Sequence, residues 1–311
     1  MPKAGRVRVH RYLPFAVALL VLGALACLDT RPPIIVGSQS DTQSTLISQM
    51  IVRLLDDARI QVIYRPTLGD GEVLREALLA GAVNIYPEYT GNGASFYADE
   101  DASVWRDPQA AFELVRNLDA QTNDVIWLEP APVSRGWVIA IRRSLAESDA
   151  IETVEDFARF ANGGGRVLLA GPTRSLAGED GLSAFEAAYG FSLSDDQVVP
   201  FDGSSTASAV RAAQEGWDGV NASLALATDG QLTSPELLLL DDPLHSQRVL
   251  APAPAVTGVI MYHYPEIQDI LATLFKSLDV VTLRGLNARV DVEGEDVREV
   301  AAAHLEAIGL D

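Results

Sequence analysis

The chain has 311 residues, 48% apolar and 21% charged, which excludes a disordered or collagen-like chain and leaves ample apolar surface for packed cores. Three hundred residues exceed what one core usually fills, so two lobes are expected. Acidic residues outnumber basic ones by 43 to 23, a net charge of −20, and this chain has no basic footprint with which a nucleic acid could be bound.

The start of the chain reads as an address. Residues 1–12 are basic, 13–25 are almost wholly apolar, and Ala26-Cys27 follows. The apolar run is too short to span a bilayer, where about 20 residues are needed, and the pattern is that of a secretory signal over 1–26. Cys27 is the only cysteine, so an internal disulfide and a cysteine-based zinc site are both excluded. Gly23-Ala24-Leu25-Ala26-Cys27 resembles the lipobox of bacterial lipoproteins, with Ala24 where leucine is more usual. The resemblance implies cleavage before Cys27, a lipid on its sulfur, and residues 27–32 as a tether. The folded part would then be extracytoplasmic, in the periplasm or on the cell surface, and anchored to the membrane.

From residue 34 strands alternate with helices. A buried strand ends at Gly37, and Leu46, Ile47, Met50, Ile51, Leu54 and Leu55 follow at helical spacing. Further strands are expected at 61–64, 83–86, 125–128 and 137–141, with helices at 72–80 and 107–118 between them. The second half repeats the unit, with helices at 153–160, 182–189 and 204–214 and strands at 167–170, 198–201 and 219–224. From residue 265 the chain is helical, with Val297, Val300, Ala301, His304 and Leu305 on one stripe. Such alternation predicts an α/β protein with parallel sheets covered by helices on both faces. Pro130-Ala131-Pro132 and Ala251-Pro252-Ala253-Pro254 suit two crossings between lobes. One lobe would comprise 33–132 with 242–311, and the other 133–241.

Enzyme chemistry finds no support. Beyond the leader there are three histidines, His245, His263 and His304, and the last lies on the apolar stripe. There is no Gly-x-Ser-x-Gly elbow, no His-Glu-x-x-His and no phosphate-binding Gly-x-x-x-x-Gly-Lys-Ser/Thr loop. The pairs Asp195-Asp196 and Asp241-Asp242 read as solvated surface. No catalytic residue, metal or cofactor is expected.

Several segments carry a more specific message: Ile34-Ile-Val-Gly-Ser-Gln39, Leu68-Gly-Asp-Gly-Glu72, Tyr86-Pro-Glu-Tyr-Thr-Gly91, Asp180-Gly181, Thr228-Asp-Gly230 and Leu286-Asn-Ala-Arg-Val-Asp291. Together they resemble the substrate-binding lipoproteins of glycine betaine/choline/carnitine ABC importers, and the resemblance spans the whole exported part. It implies a two-lobed type II periplasmic-binding-protein fold, a hinge of two crossings, and a ligand cleft between the lobes. It also implies a quaternary ammonium osmolyte as ligand, and a membrane permease with its ATPase as partners. A quaternary nitrogen has no proton to donate, so aromatic ring faces must recognise it.

The family's aromatic cage falls on Tyr89 and Trp137 here, while two further cage positions fall on Leu226 and Arg248. A family arginine just before Asp180-Gly181 is Gly178, and a family lysine after Val-Gly-Ser is Gln39. Arg248 is therefore the candidate carboxylate clamp, since a guanidinium–carboxylate pair is strong and directional. Gln39 and Asn92 are polar loop residues placed to line the cleft, and Asp41 reads as a helix cap. Two alternatives remain open: an amino acid or other small zwitterion or anion as ligand, and a sensor module that kept the fold without transporting.

Overall fold

A computed structural model of the protein describes residues 31–178, 180–202 and 206–310; Cys27 and the leader lie outside the described residues. Strands β1 (Ile34–Gly37), β2 (Val62–Arg65), β3 (Ile85–Tyr89), β4 (Val125–Trp127) and β10 (Pro252–Thr257) form a first sheet in the order β2-β1-β3-β10-β4. Strands β5 (Trp137–Arg142), β6 (Leu169–Pro172), β7 (Val198–Phe201), β8 (Ala222–Leu226) and β9 (Leu237–Leu239) form a second, in the order β7-β6-β8-β5-β9. The chain passes from one sheet to the other between β4 and β5 and returns between β9 and β10.

The inner strands of both sheets are buried on both faces, and the period of two along them shows it. In β3, Ile85 packs into one core with β1, while its neighbour Tyr86 packs into another with Trp105, Phe112 and Trp127. In β5, Ile139 and Ile141 join the core of Phe157 and Phe185, and Ala140 between them joins the core of Val210 and Ala213. Helix α1 (Thr42–Asp57) shows why the sequence folds as it does locally. The Asp41 carboxylate accepts from the Ser44 amide at 3.2 Å, starting the helix. Leu46, Ile47, Met50, Ile51, Leu54 and Leu55 then make one buried stripe. That stripe packs on the three C-terminal helices, α7 (Ile267–Ser277), α8 (Val280–Asp291) and α9 (Val297–Ala307).

Two expectations need correction. The sheets are mixed, because β10 runs antiparallel to β3 and β4, and β5 runs antiparallel to β8 and β9. Each is the first strand after a crossing. No helix carries the chain back along its own sheet before that strand, so nothing enforces the parallel sense that a strand–helix–strand unit imposes. The second proline-rich segment is likewise not a crossing but the start of β10, in the middle of the first sheet. Pro252 and Pro254 are tolerated there because their carbonyls accept from the amides of Ala131 and Leu128, at 2.9 Å each. Neither proline has an N–H to return, so the sheet forgoes those bonds on that side while keeping the two that the carbonyls accept.

Candidate functional site

Loops from both sheets meet around a cavity of about 780 Å³. The first sheet contributes residues 39–43 after β1, Gly69 and Asp70 before α2 (Gly71–Leu79), and Tyr89 and Asn92 at the end of β3. The first crossing supplies Arg135, and β5 opens with Trp137. Thr206, Leu226 and Asp229 enter from the second sheet, and Asn287 and Asp291 from α8. The size is that of a small-molecule site, concave and with a few convergent polar groups.

Tyr89 lies at the centre of the site's bonding. Its hydroxyl accepts from Gln43 Nε2 at 3.2 Å and from Arg135 Nη1 at 3.0 Å. Arg135 also lies over the Tyr89 ring, its Cζ 5.3 Å from the centroid, and its Nη1 is 2.9 Å from Asp41 Oδ1. Burial disfavours the charge of Arg135, but Asp41, Tyr89 and Asp229 more than offset this and hold its pKa above the ordinary value. Burial likewise pushes the Tyr89 hydroxyl well up, so it stays protonated.

Behind Tyr89 sits Glu88, fully buried, accepting from Tyr86 Oη at 2.5 Å, the Tyr89 amide at 2.7 Å and Asn92 Nδ2 at 2.8 Å. Desolvation raises its pKa despite these donors. The amide of Asn92 is thus held by the strand that carries Tyr89. Gly71 leaves room beside it: a Cβ there would come 3.4 Å from Gln39 Nε2 and 3.6 Å from Asn92 Nδ2, so the two amides flank one wall. Gln39 Nε2 is buried and has no hydrogen-bond partner.

A second chain of bonds links the two layers. Gln43 Oε1 accepts from Thr228 Oγ1 at 2.6 Å and from Asn287 Nδ2 at 3.3 Å, and Asn287 Nδ2 also donates to the Thr228 carbonyl at 2.7 Å. Asp229 is buried against Thr206, which donates to its carboxylate, and against the Leu226 amide at 2.8 Å; desolvation raises its pKa.

Four of the residues expected from sequence therefore share this cavity: Gln39, Tyr89, Asn92 and Trp137. Arg248 does not, and its expected position as carboxylate clamp is corrected. Its Nε is 2.9 Å from Asp180 Oδ1, and it lines a second cavity of about 950 Å³ bounded by the two crossings. The Asp180 carboxylate is its anion, and Gln247 next to it bonds Gly181 in both directions at 3.2 Å. The guanidinium inside the first cavity is Arg135 instead. It sits in Ser134-Arg135-Gly136, directly before Trp137, and that adjacency is its signal in the sequence. Gln43, Asp229 and Asn287 line the cavity as well, without having been expected there. The last two lie inside Thr228-Asp-Gly230 and Leu286-Asn-Ala-Arg-Val-Asp291, so those motifs held the signal for them.

Residues 32–307 match the OpuAC family, the substrate-binding domain of ABC-type glycine betaine transport systems. The chain belongs to this family. Among OpuAC-related proteins, it is 38% identical over 296 residues to the glycine betaine-binding protein YehZ of Escherichia coli, covering 95% of this chain and 97% of that one. The unliganded structure of E. coli YehZ superposes with a TM-score of 0.78 at 39% identity, over 90% of this chain and 99% of that chain. A crystal structure described as a glycine betaine/carnitine/choline ABC transporter shares the fold with a TM-score of 0.76 at 20% identity, over 88% of this chain and 98% of that chain. The two-lobed periplasmic-binding-protein fold is thus that of the OpuAC family, whose members are extracytoplasmic binding proteins of transporters and not enzymes. Among the described residues, no helix is long and apolar enough to cross a membrane, and no group of three or more His, Cys, Asp or Glu is placed to hold a metal.

Proposed function

We propose that the cleft captures a quaternary ammonium osmolyte of the glycine betaine or choline type, and that the protein delivers it to a membrane permease driven by an ATPase. The lining of the cavity carries this reading. Asp41, Asp70, Asp229 and Asp291 face one cation, Arg135, and two aromatic residues, Tyr89 and Trp137, stand among them. Surplus carboxylates attract a cation without needing a proton from it, and ring faces hold its methyl groups. The lobes are taken as 33–132 with 242–311, and 133–241, since strands of the first sheet fall in the former and strands of the second in the latter. Gln39 and Asn92 supply amide donors to the ligand's polar end. Cys27 carries a lipid that keeps the protein at the membrane.

A thermal-unfolding panel on the purified protein tests the ligand. Glycine betaine, choline, carnitine, proline betaine, ergothioneine and the common amino acids are titrated in turn. A true ligand raises Tm with the logarithm of its concentration above Kd. A rise with betaine or choline supports the reading. A rise with amino acids alone would replace it.

A further inference from the structure

We propose that Arg135 sets the ligand class of this cleft, acting as an internal cation on Tyr89 that refuses bare quaternary amines and yields only to a ligand bringing its own carboxylate. The inference rests on the ligand reading above and narrows it.

The Tyr89 ring is the first surface a ligand cation would seek, and a guanidinium already covers it at 5.3 Å, inside the roughly 6 Å over which a ring attracts a cation. A second cation placed against that face meets a like charge in a confined space. The guanidinium is also incompletely bonded. Nη1 serves both Asp41 and the Tyr89 hydroxyl, whereas Nε is buried and donates to nothing. An arginine presents a planar fork that matches a carboxylate's two oxygens, so its unpartnered edge in a ligand cavity selects for a carboxylate. Gln39 Nε2, also buried and unpartnered, lines the same cavity and offers a further donor.

Asp41 is the competitor. Its carboxylate holds Arg135 on the ring, yet it has a second use as the cap of α1 through the Ser44 amide, so it remains bonded when the guanidinium leaves. A zwitterion can therefore exchange one carboxylate for another at Arg135, drawing the guanidinium off Tyr89 while its own ammonium group enters the acidic cavity. Choline has a hydroxyl in place of the carboxylate. It can neither replace Asp41 nor complete the fork, and it is left to compete with Arg135 for the ring.

Isothermal titration of glycine betaine and choline against wild type, Arg135→Gln and Asp41→Asn decides the matter, with unliganded thermal unfolding of each variant as the check on folding. Arg135→Gln is expected to weaken betaine at least tenfold and to strengthen choline several-fold, because the ring is freed. Asp41→Asn keeps a capping side chain and removes the competing anion, so betaine should bind several-fold tighter. Loss of choline and betaine by the same factor in Arg135→Gln, or weaker betaine in Asp41→Asn, would overturn the inference. If Arg135→Gln does not fold, the betaine affinity of Asp41→Asn decides alone. Wild type failing to bind betaine would count against the ligand reading. The change in choline affinity on losing Arg135 would still decide the inference itself, so the two fail separately.

Discussion

Arg248 and Trp137 are both expected at the ligand from sequence, and the structure makes them respond differently to removal. Arg248 is paired with Asp180 where both side chains are partly open to solvent, 30% and 45% exposed. Such a pair contributes about 0–1 kcal/mol. Arg248→Ala should leave betaine affinity unchanged in a titration and shift the denaturation midpoint only slightly; a tenfold loss of affinity would return it to the site. Trp137 opens β5 opposite Leu226 and lines the cleft with it. Trp137→Ala should weaken a quaternary ammonium ligand by about 1–2 kcal/mol from the ring face alone, read by the same titration. The difference was not legible in sequence. A loop alignment places residues by count, and the crossing that carries Arg248 turns its side chain towards Asp180 rather than towards Tyr89.

At the scale of elements, the strand that presents Tyr89 is backed by a buried ion pair between two helices. Arg75 of α2 donates to both carboxylate oxygens of Asp119 in α3 (Pro108–Thr122), one contact measuring 2.8 Å. Tyr97 Oη and Trp127 Nε1 donate to the same carboxylate at 2.6 and 2.5 Å, and Arg75 lies 4.5 Å over the Phe96 ring. Burial alone would raise the Asp119 pKa, but Arg75, Tyr97 and Trp127 more than offset it and hold the carboxyl below its ordinary value of 3.8. Arg75→Met leaves that charge without its counter-ion and should cost about 3–5 kcal/mol in a chemical denaturation. Because the folded pKa is the lower one, the carboxylate's contribution is complete above pH 3.8 and is lost as pH falls through the folded value. The stability gap between wild type and Asp119→Asn should therefore narrow below that pH; a gap independent of pH would deny the ion pair its role. The helices themselves were legible, since apolar spacing located both to within a few residues. The pair was not, because nothing in the sequence brings Arg75 and Asp119, 44 residues apart, together until the two helices are packed in the fold.

For the whole molecule, strand–helix alternation disclosed two α/β layers but not the direction of the strands that follow each crossing, because direction there depends on where the chain arrives from. Nor did it disclose that the layers touch away from the crossings. Residues 227–230, just after β8, rest on α8, where Arg284 donates to the Ala227 carbonyl through Nε at 3.1 Å and Nη2 at 2.7 Å. Beside it Asn287 holds the Thr228 carbonyl. Gly230 allows this: a Cβ there would stand 2.5 Å from the Ala288 amide nitrogen and 2.7 Å from the Asn287 carbonyl carbon, both backbone atoms that cannot swing away. Gly230→Ala must therefore push the turn off the helix, at about 1–3 kcal/mol for forced overpacking. Gly285, one helical turn earlier on α8, has nothing within 4 Å of the same position. Gly285→Ala should stabilise by up to about 1 kcal/mol, because alanine is the better helix former and meets no neighbour. Denaturation midpoints of the two variants should move in opposite directions. If Gly230→Ala is as stable as wild type, the close approach of the 227–230 turn to α8 is not a contact the folded protein depends on.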